Sequence, residues 1–141
     1  SGIRNTLTML NYKLRKANIN VIEHYDDSIP KIKAFPGELN QVWTNIIDNA
    51  IDAMEVNNKG NLEITSTHDG RFVKVYIKDD GTGIPEDIKQ NIFTPFFTTK
   101  EMGKGSGLGL DVVSRIMIQH NGEVKVKSAP GATEFEICLP V

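Results

Sequence analysis

Apolar residues recur at helical spacing at the head of the chain, where Ile3, Leu7, Leu10 and Leu14 share one face and Asn5, Asn11, Lys13, Arg15 and Lys16 occupy the others. That pattern predicts a single amphipathic helix ending near Asn18. A short edge strand is expected over 20–26, followed by a connecting loop over 28–34 that contains Pro30. Phe35-Pro36-Gly37-Glu38 then opens a long helix, with Pro36 in the first turn, where its missing N–H is harmless. At about 100° per residue, Leu39, Val42, Trp43, Ile46, Ala50, Ala53 and Met54 gather into one apolar arc, so the helix is expected to face a core. Asn57-Asn58-Lys59-Gly60 closes it.

The period then changes from helical to alternating. Leu62 and Ile64 alternate with Glu63 and Thr65, Asp69-Gly70 signals a turn, and Val73, Val75 and Ile77 alternate with Lys74, Tyr76 and Lys78. Beyond Asp80-Gly81-Thr82-Gly83-Ile84-Pro85 the expectation is a short helix over 86–91, then an aromatic stretch, Ile92 to Lys100. Residues 101–107, Glu-Met-Gly-Lys-Gly-Ser-Gly, cannot hold a regular element and are expected to be mobile. A helix from Leu108 to His120 follows, and a second hairpin spans 123–128 and 132–139 across Ala129-Pro130-Gly131. Setting Val124 and Val126 against Phe135 and Ile137 inside lets Lys125 and Lys127 face Glu136 and Glu134 outside, a register that pins the pairing. The order of elements predicts an α+β two-layer sandwich, a mixed sheet with helices on one face.

Composition narrows the function classes. With 141 residues, of which 39% are hydrophobic, the chain suits one domain with a real core. A net charge of -2 gives no reason to expect nucleic acid or an anionic membrane as partner. The single cysteine, Cys138, cannot form an internal bridge, which suits a reducing, cytoplasmic compartment. No apolar run approaches the roughly 18 residues of a membrane span. The opening Ser1-Gly2 leads to the expectation that the chain is a fragment of something longer, monomeric in isolation.

Candidate chemistry begins on the long helix, where Gln41, Asn45, Asp48, Asn49 and Asp52 fall in a narrow sector beside the apolar arc. This is either a solvated face or a row of ligands. An idle face is usually filled with Lys, Glu and Arg, because Asn and Asp cost helix propensity. Oxygen donors with no thiol and no close histidine suit a hard cation such as magnesium, which keeps waters and shares a nucleotide's phosphates. A second candidate is Asp79, which period two puts on the apolar face of its strand; it either caps the following turn or holds a ligand's N–H. The third is the glycine-rich stretch emptying into a helix, whose positive N-terminal end attracts phosphate. Gly105-x-Gly107-x-Gly109 lacks the ending of a P-loop and lies too far along the chain for a Rossmann turn. His24, His68 and His120 are scattered and are read as structural or solvated.

Taken in order, these motifs resemble the ATP-binding catalytic domain of sensor histidine kinases, within the superfamily shared with DNA gyrase, mismatch-repair and heat-shock chaperone ATPases. The fold so implied is the Bergerat type. Asn45-x-x-x-Asn49-Ala50 resembles the asparagine box, which implies a magnesium ligand at Asn49 and places Asn45 near the phosphates. Asp79-x-Gly81-x-Gly83, with Ile84 after it, resembles the first glycine box, whose aspartate accepts from the adenine exocyclic amine. Phe93-x-Pro95-Phe96-Phe97 resembles the phenylalanine box. Gly105-Ser106-Gly107-Leu108-Gly109-Leu110 resembles the second glycine box, and Gly131-Ala132-Thr133 the final one. Lys100 and Lys104 flank the loop, as phosphate contacts or as solvated lid lysines.

The resemblance has departures. Asp52 stands where many of these kinases carry a basic phosphate contact, and Ala53 is too small to stack on adenine. Asn-Ala-x-Asp-Ala is similar to kinases of the nitrogen-regulation type. Hydrolysing relatives have a glutamate base at the position of Asn45, where this chain has an amide that cannot take a proton. The resemblance therefore implies transfer of the γ-phosphoryl group of ATP, with magnesium, to a histidine on a separate dimerisation domain, and a response regulator downstream. Rival readings are a free-standing serine kinase of the anti-sigma type and a nucleotide-sensing module without transfer.

Overall fold

A computed structural model of the chain describes residues 2–26, 36–55, 59–69, 71–81, 109–129 and 131–140. Its elements are α1 (Gly2–Met9), α2 (Asn11–Lys16), β1 (Ile19–His24), α3 (Pro36–Glu55), β2 (Gly60–His68), β3 (Phe72–Asp79), α4 (Gly109–Gln119), β4 (Glu123–Ala129) and β5 (Ala132–Pro140). The strands form one five-stranded sheet in the order β1-β2-β3-β5-β4. β1 runs parallel to β2 and every other neighbour is antiparallel, so the sheet is mixed and β1 is an edge, as the pattern implies. The second hairpin adopts the expected register: Val124 opposes Ile137, Lys125 opposes Glu136, Val126 opposes Phe135 and Lys127 opposes Glu134.

Among the described residues, the helices pack on one face of the sheet. Leu62, Ile64, Val75, Ile77, Phe135 and Ile137 point into the core against Val42, Ile46, Ala50 and Met54 of α3, with Val113 and Met117 of α4 beside them. Ile47 and Ile51 are fully buried as well, although they lie off the predicted arc. Their burial has a physical cause: α3 packs on the sheet and also against α1 and α4, so its apolar surface is wider than one stripe.

The first helical segment differs from expectation. Residues 2–16 form two helices joined at Leu10, whose φ of -93° and ψ of 6° depart from helical values. Leu10 N–H still bonds the Thr6 carbonyl and Leu14 N–H the Leu10 carbonyl, so the apolar spacing survives the break. Ile3 and Leu14 stay in one core.

Both following turns use asparagine in the left-handed region, Asn18 and Asn121 each at φ 57°. At the end of α4, Asn121 N–H bonds the Ile118 carbonyl and Gly122 N–H bonds the Met117 carbonyl, a Schellman closure. Gly122 must be glycine, because a Cβ there would run into the Cys138 carbonyl and the end of Met117. This stop turns the chain from α4 into β4.

Residues 28–34, the short helix expected over 86–91 and the aromatic and glycine-rich stretches lie outside the described residues.

Candidate functional site

The site forms where the end of β3 meets the C-terminal part of α3. Gly81 makes this contact possible: a Cβ at that position would lie 2.8 Å from the carbonyl carbon and oxygen of Ala53 and 2.9 Å from its Cβ. Only glycine lets the two backbones approach this closely. The end of the strand that carries Asp79, two residues earlier, is thereby tied to the helix that carries the asparagines.

Asp79 ends a strand whose inward residues are otherwise Val73, Val75 and Ile77, and it is only 3% exposed. Its Oδ1 accepts the Gly81 N–H at 2.9 Å. Burial pushes the carboxyl up to about 6, the Gly81 N–H opposes that rise, and the neighbouring Asp80 adds to it. The turn cap and an inward carboxylate thus coexist, with one oxygen fixed by the turn. Asp80 points the other way and clamps β2, accepting both the backbone N–H and the side-chain amide of Asn61 at 2.9 Å.

On α3 the polar stripe is organised rather than merely wet. Asn49 donates its side-chain amide to the Asn45 carbonyl at 2.7 Å, and Gln41 donates to Asn45 Oδ1 at 2.7 Å. With the Asn49 nitrogen committed to its own helix, the side-chain atom of ligand type is Oδ1. Asp48 is drawn elsewhere: its Oδ1 lies 2.8 Å from Lys13 Nζ on α2. That hydrogen bond raises the Lys13 pKa, as do, more weakly, the charges of Asp48, Asp52 and Glu55. Asp52 is half-buried one turn further on.

Across the sheet, Thr133 is the register partner of Asp79 and is 4% exposed. Its hydroxyl sits 2.9 Å from that of Ser128 on β4. The innermost rung at this end of the sheet is therefore Leu62, Asp79, Thr133, Ser128, polar where the neighbouring rung of Ile64, Ile77, Phe135 and Val126 is wholly apolar.

Of the sequence candidates, Asn45, Asn49, Asp52, Ala53, Asp79, Gly81 and Thr133 lie on α3, β3 and β5 around this junction. Gly109 and Leu110 open α4. Gly83, Ile84, Phe97, Lys100, Lys104, Gly105, Ser106, Gly107 and Leu108 lie outside the described residues. Sequence reasoning missed Ser128 and the Asp80 clamp. The first was legible, because the register that pairs Lys127 with Glu134 also pairs Ser128 with Thr133.

The donor set can be tested against the metal it suggests. Among the described residues no three His, Cys, Asp or Glu side chains form a metal site by themselves. Amide oxygens on one helix face fit a hard cation that completes its shell from water and phosphate. No helix among the described residues is long and apolar enough to cross a membrane.

Comparison with known proteins places the fold. Residues 36–141 match the family model described as histidine kinase-, DNA gyrase B- and HSP90-like ATPase. The sensory histidine kinase/phosphatase NtrB of Rhodobacter capsulatus is 37% identical over 138 residues, which cover 89% of this chain and 38% of that protein. The chain thus spans well under half of this curated relative. The solved catalytic domain of histidine kinase ThkA, in a nucleotide-free form, is 32% identical with a TM-score of 0.86, covering 99% of this chain and 91% of the other. ThkA in complex with the response regulator protein TrrA also matches, at 30% identity and a TM-score of 0.80, covering 99% of this chain and 39% of that one. Since the family match runs through both sides of the Gly81 contact and a solved catalytic domain superposes along nearly the whole chain, the protein belongs to the histidine kinase-, DNA gyrase B- and HSP90-like ATPase family, on its histidine kinase side.

Proposed function

We propose that residues 1–141 act as one catalytic ATP-binding unit of a two-component sensor histidine kinase, working on the cytoplasmic side and donating the γ-phosphoryl group of ATP to a histidine on a separate dimerisation domain. One observation carries the reading: a carboxylate buried at a strand end, two residues before the Gly81 contact that joins this strand to the asparagine-bearing helix. A buried acid is costly unless a donor meets it, and the exocyclic amine of adenine is such a donor. Asn49 Oδ1 would take part in holding magnesium, which when bound neutralises charge on the phosphates. Asn45, beside it, orients the phosphates but has no basic atom with which to activate water, so transfer is favoured over hydrolysis.

In the transfer, the acceptor imidazole nitrogen bonds to the γ-phosphorus while the bond to the β–γ bridging oxygen breaks. ADP leaves with that electron pair and the imidazole proton passes to solvent. Positioning and electrostatics supply most of the acceleration. Phe97, Lys100, Lys104 and the stretch 105–110 are proposed as nucleotide contacts, on the motif resemblance alone. A response regulator then takes the phosphoryl group, as the relation of ThkA to TrrA suggests.

The test mixes the chain with a histidine-bearing dimerisation domain and radiolabelled ATP. Acid-labile phosphohistidine on that domain supports the proposal, and ATP binding without transfer to any such domain overturns it.

A further inference from the structure

The strand order ends at β4, so among the described residues one side of that strand has no neighbour in the sheet. Beside this edge lies a groove of about 310 Å³, lined by Met117 and Ile118 of α4 and by Glu123, Val124 and Lys125 of β4. Ile118 stands 70% exposed there. A bare strand edge is a template for another strand, and proteins commonly block such edges with lysine. β4 carries Lys125 and Lys127 on its exposed face, with Glu123 before them. Whether the edge is blocked depends on what faces those charges.

A second copy of β4 can come alongside antiparallel only through a two-fold axis perpendicular to the sheet, which passes through a residue and opposes inner side chains to inner ones. Each position of β4 can be tried as that centre. On Glu123, Lys125 or Lys127 the axis sets a charge against itself, and on Val126 it sets Lys125 against Lys127. On Ser128 or Ala129 no charges meet within the strand. On Val124 it sets Glu123 against Lys125 of the second copy, twice by symmetry, with valine against valine on the core side. Lys125 Nζ already lies 3.7 Å from Glu123 Oε2 of its own strand, so this register closes a ring of four alternating charges. It also continues the alternating row that Glu136 and Lys125 begin across β5 and β4.

We propose that the β4 edge docks a second copy of this chain, antiparallel and centred on Val124, so that two sheets join and the grooves beside Ile118 meet in one apolar seam. The lysines then act as selectors: they reject registers that oppose like charges and admit the one that matches Glu123. With so few residues paired, the interface falls well below the roughly 1,200 Å² of a standard stable complex, and the isolated chain stays monomeric when dilute. A tether changes that balance, because two copies held by the dimerisation domain proposed above meet at an effective concentration in the millimolar range. The pairing needs no nucleotide and stands whether or not the chain binds ATP.

Mild oxidation of Val124→Cys, in a Cys138→Ala background, reads the pairing even when it is weak, because residues at the centre face each other and a disulfide traps each encounter. Dimer should form much faster than from Val126→Cys, whose two thiols this register leaves about 13 Å apart along the strands. Adding Lys125→Glu or Glu123→Lys turns both unlike pairs into like ones and should slow dimer formation from Val124→Cys about five- to thirtyfold. Mixing those two variants sets glutamates against lysines and should restore the rate, with thermal melting showing that each is folded. If a charge variant melts early, sedimentation equilibrium of the wild type up to millimolar concentration takes its place: the mass should rise with concentration, and less so at high salt. Equal rates from Val124→Cys and Val126→Cys, no recovery on mixing, or a wild type that stays monomeric throughout overturns the pairing, and the edge is then either closed by its lysines or left to a strand of another protein.

Discussion

Replacing Asp79 with asparagine should stabilise the nucleotide-free protein, although Asp79 is the residue on which binding depends. In the folded chain its pKa is pushed from 3.8 to about 6, chiefly by burial. At about 1.36 kcal/mol per pKa unit, keeping this group ionised costs the fold on the order of 3 kcal/mol at neutral pH. Because the folded value lies above the unfolded one, the folded state binds the proton more tightly. The favourable contribution is fully present below pH 3.8 and is lost as pH rises through about 6. An asparagine in its place would keep an oxygen for the Gly81 N–H and carry no charge, but its amide nitrogen brings new donors that need partners, an offset of about 1 kcal/mol or more. A net gain of about 1–2 kcal/mol at pH 7.5 remains.

Urea unfolding of both proteins at pH 7.5 and pH 4.5 measures it, and comparing the two isolates this group from every other titration. The asparagine variant should be the more stable at pH 7.5, and the gap should nearly close at pH 4.5. ADP at about a hundred times its dissociation constant adds about 2.7 kcal/mol to the wild type alone, enough to close or reverse the order. A variant no more stable than the wild type at pH 7.5, or a gap that ignores pH, refutes the desolvation account.

The other expectations concern the same junction. ADP affinity of the wild type should be flat above pH 7 and fall toward tenfold per unit below about 6, as the Asp79 acceptor is protonated; calorimetry across pH 5 to 8 checks this. Gly81→Ala should cost about 1–3 kcal/mol in urea unfolding and weaken ADP binding with it, because the added carbon meets the Ala53 backbone 2.8 Å away. Gly60→Ala should also destabilise in urea unfolding, since its new carbon would meet the Sδ, Cγ and Cβ of the fully buried Met54. Asn49→Ala should reduce the magnesium-dependent part of ATP affinity while leaving ADP binding without metal near wild type, read by titration with and without chelator. Lys13→Ala should change stability by at most about 1 kcal/mol, and less at high salt, because its pair with Asp48 is largely in water.

What could be read ahead of the structure follows from how far each signal reaches along the chain. Period two placed Asp79 inward because every residue that sets its face lies on its own strand, and the same rule set the register of β4 on β5 through Lys125, Lys127, Glu134 and Glu136. Burial of Ile47 and Ile51 was not legible, since it depends on helices docking at the sides of α3 and leaves no mark in that helix's own periodicity. The break at Leu10 was hidden for the opposite reason: the apolar spacing of Ile3, Leu7, Leu10 and Leu14 continues across it, so the pattern fits one helix as well as two. The Gly81 contact with Ala53 joins a strand end to a helix far back in the chain, and a glycine in a turn signals conformational freedom before it signals close approach. That contact converts two separate hints, an inward acid and an asparagine stripe, into one site. A carboxylate whose burial works against the fold, beside a glycine that only a tight backbone approach requires, is the arrangement expected when a ligand supplies the missing donor.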